Sequence, residues 1–181
     1  MNLSELKTKA KQLFGKNKKL TAQAFEEYTD AVGNLDALQD TGWVSLPVAS
    51  VAINGTSVRA RRVGNTVIID CSGAIYDTVA LRGSGFWAQK DPNGKDYYAT
   101  FLVPVNGIPK GFRSAKTFMG SIYTDGPDFV GTWQLSSTLD NYLAIKLRNK
   151  PAGDVTGIRL SQVKYFTDDP FPKIENGKIV N

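Results

Sequence analysis

The chain has 181 residues, 41% of them apolar, enough for one well-buried core and an appendage but not for two full domains. It contains no histidine and a single cysteine, Cys71. This excludes imidazole metal sites, histidine proton shuttles, histidine-activated nucleophiles and an intrachain disulfide. The longest apolar runs, Thr66 to Ile69 and Phe101 to Val105, fall far short of the roughly 20 residues that span a bilayer, and Lys7, Lys9 and Lys11 interrupt any signal-peptide core. The expectation is a protein with no membrane partner, made in a reducing cytoplasm.

Charge divides the chain: residues 1–19 carry +5, residues 20–40 carry −5 and residues 41–181 carry the remaining +5. In the first segment Leu3, Leu6, Ala10 and Leu13 recur at steps of three and four, the seam of a helix that Gly15 and the Lys16 to Lys19 run should end. In the second, Thr21 is a cap for a helix whose seam is Ala24, Tyr28, Ala31, Leu35 and Leu38. Helices this short are unstable alone in water, because nucleation is unfavourable and burial must supply the rest. Something has to cover the seams: either the chain's own head, or other copies or a partner. The second reading is preferred, which makes residues 1–40 an anchor and oligomerisation segment built on Leu3, Leu6, Leu13, Tyr28, Leu35 and Leu38.

From Thr41 the apolar period changes from helical to alternating, and Asn54-Gly55, Gly64-Asn65, Asn93-Gly94, Asn106-Gly107, Asp125-Gly126 and Asn176-Gly177 punctuate the rest as tight turns. Strands are predicted near 43–46, 57–63, 66–76, 97–103, 117–124, 129–137, 142–148 and 156–166. Two hairpins stand out. One runs from Val58 to Ile69 across Gly64-Asn65. The other pairs Gly131 to Ser136 with Tyr142 to Leu147, whose return strand alternates Tyr142, Ala144, Lys146 and Arg148 with Leu143, Ile145 and Leu147. The fold class is mainly β: an antiparallel β-sandwich or barrel head over 41–167, preceded by short helices and followed by a tail, 168–181.

Three stretches occur in sequence: Gly42-Trp43-Val44-Ser45-Leu46, then Val58-Arg59-Ala60-Arg61-Arg62-Val63-Gly64-Asn65-Thr66-Val67-Ile68-Ile69, then Val105-Asn106-Gly107-Ile108-Pro109-Lys110-Gly111-Phe112-Arg113. In order and approximate spacing this combination, covering about residues 42–148, resembles the head domains of receptor-binding proteins from tailed bacteriophages of Gram-positive hosts, lactococcal phages among them. The chain departs from that pattern at Ser114, where such heads often carry proline, and in a longer insertion from Gly83 to Lys95. The resemblance implies a homotrimer whose N-terminal helices plug into a baseplate or tail protein. It further implies a location at the virion's tail tip or baseplate and a head that binds a host cell-wall saccharide.

Sugars are held by aromatic faces together with carboxylates, amides and arginines that satisfy hydroxyls. On that chemistry the candidate ligand residues are Trp87 in the Gly-rich insertion, Trp133, Tyr123, Asp125 and Asp128 around one turn, Asp140 and Asn141 in another, and one of Tyr97 and Tyr98. Each has a competing structural reading: burial in the core or at a subunit interface for the tryptophans, and local backbone bonding for the turn residues. Trp43 reads as structural. Arg59, Arg61 and Arg62 form a basic hairpin able to hold phosphate, against a reading as a solvated edge or inter-subunit salt bridges. No nucleic-acid module signature accompanies them, so nucleic acid is not an expected partner. The adjacent carboxylates Asp168 and Asp169 precede Pro170 and Pro172, where a shielded acid is hard to build. The expectation is a non-enzyme with no cofactor, metal or catalytic residue. The alternatives are a structural connector of a virion and a carboxylate-based glycan hydrolase.

Overall fold

Residues 3–14, 22–33, 39–72, 78–126, 128–137, 140–175 and 178–180 are described by the structure, a computed structural model. Two helices come first, α1 (Leu3–Phe14) and α2 (Ala22–Gly33). Leu3, Leu6 and Leu13 lie in α1 and Tyr28 in α2, whereas Leu35 and Leu38 lie outside the described residues. The helices pack on each other, and among the described residues neither has more than marginal contact with a strand. No described helix is long and apolar enough to cross a membrane.

The remainder is β1 (Asp40–Ser45), β2 (Ser57–Val63), β3 (Thr66–Ser72), β4 (Val79–Leu81), β5 (Trp87–Lys90), β6 (Asp96–Val103), β7 (Phe118–Thr124), β8 (Phe129–Leu135), β9 (Leu143–Leu147), β10 (Val155–Leu160), β11 (Val163–Phe166), β12 (Lys173–Glu175) and β13 (Lys178–Val180). They form a four-stranded sheet, β1-β2-β3-β11, a seven-stranded sheet, β4-β10-β7-β8-β9-β6-β5, and the β12-β13 hairpin. The two large sheets are antiparallel and curl as a half-barrel around one apolar core. Val58, Val67 and Ile69 reach into that core from the smaller sheet, and Ile122, Leu135 and Ile145 from the larger.

Both predicted hairpins are present in the expected register: Val63 faces Thr66 across Gly64-Asn65, and Leu135 faces Leu143. Two other expectations need correction. The single strand predicted over 156–166 is two strands in different sheets, because the chain crosses between them at Ser161-Gln162. The Gly83 to Lys95 insertion is not an open loop, since β5 lies within it as an edge strand. The glycines ahead of β5 serve close approach rather than looseness: a Cβ on Gly83 would lie 2.0 Å from the Gly153 carbonyl oxygen, and one on Gly85 would lie 2.1 Å from Val51 Cγ1.

The three arginines of the first hairpin do not form one basic patch, because strand alternation separates them. Arg59 and Arg61 point outward, where Arg59 Nη2 meets Asp70 at 2.6 Å and Arg61 meets Asp40. Arg62 shares the inward face with Val58 and Ala60 and is 1% exposed. Its Nε donates to the Gly64 carbonyl at 2.6 Å, its Nη1 donates to the carbonyls of Gly111 at 2.7 Å and Pro170 at 3.1 Å, and its guanidinium lies 4.9 Å from the centre of the Phe171 ring.

This clamp binds the C-terminal segment into the head, so a free tail from 168 is not what is found. Asp169 accepts the backbone N–H groups of Gly111 at 2.8 Å and Arg113 at 3.3 Å, and Ile174 and Ile179 pack on the core. Arg62→Met leaves three carbonyls without their charged donor and is expected to destabilise the head by about 2–4 kcal/mol. Chemical denaturation checks this, read as a lowered midpoint with unchanged slope.

Candidate functional site

Apolar alternation decides which residues the seven-stranded sheet offers to the outside. Leu147 on β9 and Ile122 on β7 lie on a row of opposed residues running Ala88, Tyr98, Leu147, Gly131, Ile122 and Leu160, which faces the core. The neighbouring row, Trp87, Ala99, Lys146, Thr132 and Ser121, therefore faces outward. Four large apolar side chains that stay substantially exposed lie on this outer face: Trp87, Met119, Tyr123 and Phe129, at 38%, 58%, 39% and 42%.

Phe129 reaches that face through a β-bulge. On β8 it should share the inward parity of Gly131, Trp133 and Leu135. The β7-β8 register shifts between Ile122 and Tyr123, so that Ile122 opposes Gly131 but Tyr123 opposes Phe129. Val130 then packs against the core in place of Phe129. Re-aiming one side chain at a strand end is what such an inserted residue does. Phe129 meets Tyr123 edge-on at 6.1 Å, and the Arg148 guanidinium lies 5.1 Å from the centre of its ring.

Between Phe129 and the β5-β6 hairpin lies an open groove of about 430 Å³. Tyr97, Thr132, Met119 and Lys146 line its base, and Lys90 to Asp96 form one wall. Asp91 holds that wall's turn by accepting the backbone N–H groups of Asn93 at 2.8 Å and Lys95 at 2.9 Å. Lys90 pairs with Asp96 at 2.8 Å across the hairpin ends. The Lys146 ammonium lies 5.2 Å from the centre of the Tyr97 ring, and burial holds its pKa below the ordinary lysine value. Beyond the groove's other end Trp87 packs on Phe101 at 5.1 Å, and Phe101 on Tyr142 at 5.0 Å, so the face continues as a band of rings above the buried Ala99 and Ala144.

The residues singled out from sequence are brought together only in part. Tyr123 lies at the groove's rim and Trp87 on the same face. Asp125 is taken by Arg159, whose Nε donates to it at 2.8 Å, an exposed pair worth about 0–1 kcal/mol. Asp128 is exposed in the same turn, its carbonyl accepting the Thr124 N–H at 2.9 Å. Of the adjacent tyrosines it is Tyr97 that lines the groove; Tyr98 has the opposite parity.

Trp133 is corrected outright. It is 4% exposed, its indole N–H donates to Ser161 Oγ at 2.9 Å, and a Cβ on the opposing Gly120 would come within 2.3 Å of its ring, so no ligand can reach it. Asn141 is corrected as well, being 2% exposed with φ +46. Its carbonyl and that of Asp140 accept the N–H groups of Ile108 and Asn106, so this corner pins a neighbouring loop. Asp140 itself is exposed, but it lies at the far end of β8 from Tyr123, about 20 Å away along the strand. Trp43, read as structural, is 41% exposed on the outer face of the smaller sheet, with the Arg59 guanidinium 5.0 Å from its ring centre.

Among the described residues no group of three or more Cys, Asp or Glu side chains is placed to hold a metal ion. Burial, and after it the Asp70 carboxylate, push the Cys71 thiol up to about 12, so it stays protonated at neutral pH. Comparison with protein-family models, with curated proteins and with solved structures finds no match for this chain. The burial differences carry a direct check. Fluorescence of variants retaining one tryptophan each should be strongly quenched by acrylamide for Trp43 and Trp87 and weakly for Trp133. Equal quenching of all three contradicts the assignment of faces.

Proposed function

We propose that this chain is a receptor-binding protein of a tailed phage of Gram-positive bacteria, located at the tail tip or baseplate, whose β head takes a host cell-wall saccharide on the outer face of the seven-stranded sheet. The observation that carries this reading is the outward band of half-exposed rings beside a groove lined by both donors and acceptors. Ring faces and edges meet the apolar C–H surfaces of sugars, and the flanking lysines, arginine, threonine and aspartates meet hydroxyls and charged substituents. The motif order described above supplies the phage context.

Residues 1–40 gather three copies and dock them to a tail protein. α1 and α2 have little contact with the sheets, which leaves their seams for other chains. Each site binds weakly, and many heads on one particle raise the apparent affinity by roughly 10²–10⁴. A second reading, a connector that grips another virion protein, is favoured by Trp43, Val63 and Phe166, which stand 41%, 42% and 71% exposed on the outer face of the smaller sheet.

Co-sedimentation with cell walls from a panel of Gram-positive hosts separates the two. The attachment reading expects the protein in the pellet for at least one host, with Phe129→Ala lowering the bound fraction by about tenfold and Phe166→Ser leaving it unchanged. Absence from every pellet favours the connector. For the anchor, deletion of residues 1–40 should reduce the mass measured by light scattering from three chains to one; an unchanged mass assigns assembly to the head.

A further inference from the structure

A second depression, of about 500 Å³, lies beside the first and is lined by the 149–154 loop together with Thr124, Val130 and Ile158. The two share Phe129, Leu147 and Arg148, so they meet at the place where the Arg148 guanidinium lies over the Phe129 ring. A ligand lying in both would pass over this ridge and be contacted along its length.

The charges along this path are unevenly compensated. Its carboxylates are engaged: Asp96 with Lys90, Asp91 with two backbone N–H groups, and Asp154 with the backbone N–H of Gly83 at 3.2 Å. Lys95, Lys146, Arg148 and Lys150 line the two depressions, and among the described residues none of the four has a carboxylate partner. Two of these cations rest against ring faces, at 5.2 Å on Tyr97 and 5.1 Å on Phe129. That position fixes the charged groups and covers the rings. Lys146 is moreover half-buried, and an anion beside it would offset the desolvation its ammonium suffers.

From this geometry we infer that the two depressions form one continuous track for an anionic glycan, a polymer whose repeat units carry phosphodiester or carboxylate groups. The inference rests on the attachment reading and specifies its ligand. Single-stranded nucleic acid, the other common polyanion, is disfavoured because it needs free ring faces on which successive bases stack, and here cations occupy them. Neutral glycans are disfavoured for the same reason, since their main hold on such a surface is stacking.

Titration calorimetry on the full chain tests this with four probes: poly(glycerol phosphate), polygalacturonate, neutral dextran and a single-stranded oligonucleotide. At least one of the first two should bind, and comparing them tells whether phosphate or carboxylate is preferred. Dextran and the oligonucleotide should bind at least about tenfold more weakly. Arg148→Gln and, separately, the fully surface-exposed pair Lys95→Gln with Lys150→Gln should each weaken the anionic glycan by about tenfold and flatten its salt dependence, with an unchanged thermal midpoint showing intact folding.

Equal binding of dextran, tighter binding of the oligonucleotide, or no effect of either variant overturns the anionic track. If cell walls still pellet the protein in that case, the attachment reading survives alone. If the anionic glycan binds as described while no cell wall pellets the protein, the track stands and the attachment reading fails.

Discussion

Trp133 and Leu135 on β8 stand opposite Ile145 and Leu143 on β9, and because both strands commit those side chains to the core, every alternate residue is forced outward. A slip of one residue in β9 would replace Leu143, Ile145 and Leu147 in the core by Ala144, Lys146 and Arg148. The exposed aliphatics would forfeit about 1.5–3 kcal/mol each, and two cations would enter an apolar interior without partners. Register is therefore fixed by the inside of the molecule, and the outer face inherits its arrangement. Lys146 is placed beside Tyr97, and Arg148 beside Phe129, by the same pairing that buries Ile145.

Around this sheet the rest of the head acts as a brace. Arg62 ties β2, the Gly111 loop and the Pro170 segment to one guanidinium, and Asp169 closes the same junction from the other side. The smaller sheet thereby covers the inner face of the larger one with both chain crossings held. The α1-α2 pair takes no comparable part, and this division between a braced head and a separately packed anchor suits a protein that is held at one end and binds at the other.

Much of the fold was legible in the sequence because its signals were local. Gly64-Asn65 with flanking alternation gave the β2-β3 hairpin, and the strict alternation from Tyr142 to Arg148 gave β9 and its partner. What was not legible depended on contacts remote in sequence. Nothing near Arg62 announces the carbonyls of Gly111 and Pro170 that let it be buried, so it read as one of three surface arginines. The glycines at 83 and 85 read as slack, since the Gly153 and Val51 groups they make room for lie far along the chain.

The candidate site shows the same limit. Trp133 attracted attention for its size, but its mid-strand parity with Leu135 already marked it as inward. Phe129 escaped notice for the opposite reason: simple alternation points it inward, and only the bulge beside Val130 brings it out. Lys146 and Arg148 had been read as the solvent side of a strand, and the signal available was their placement two residues apart on a strand otherwise committed to the core. The central claim is that ligand meets the protein on this outer face. Backbone amide shifts followed by NMR during titration with solubilised cell-wall glycan test it directly: the account predicts changes concentrated at Tyr97, Thr132, Lys146 and Arg148. Changes concentrated instead at Arg59, Ile68 and Lys164 on the smaller sheet would contradict it.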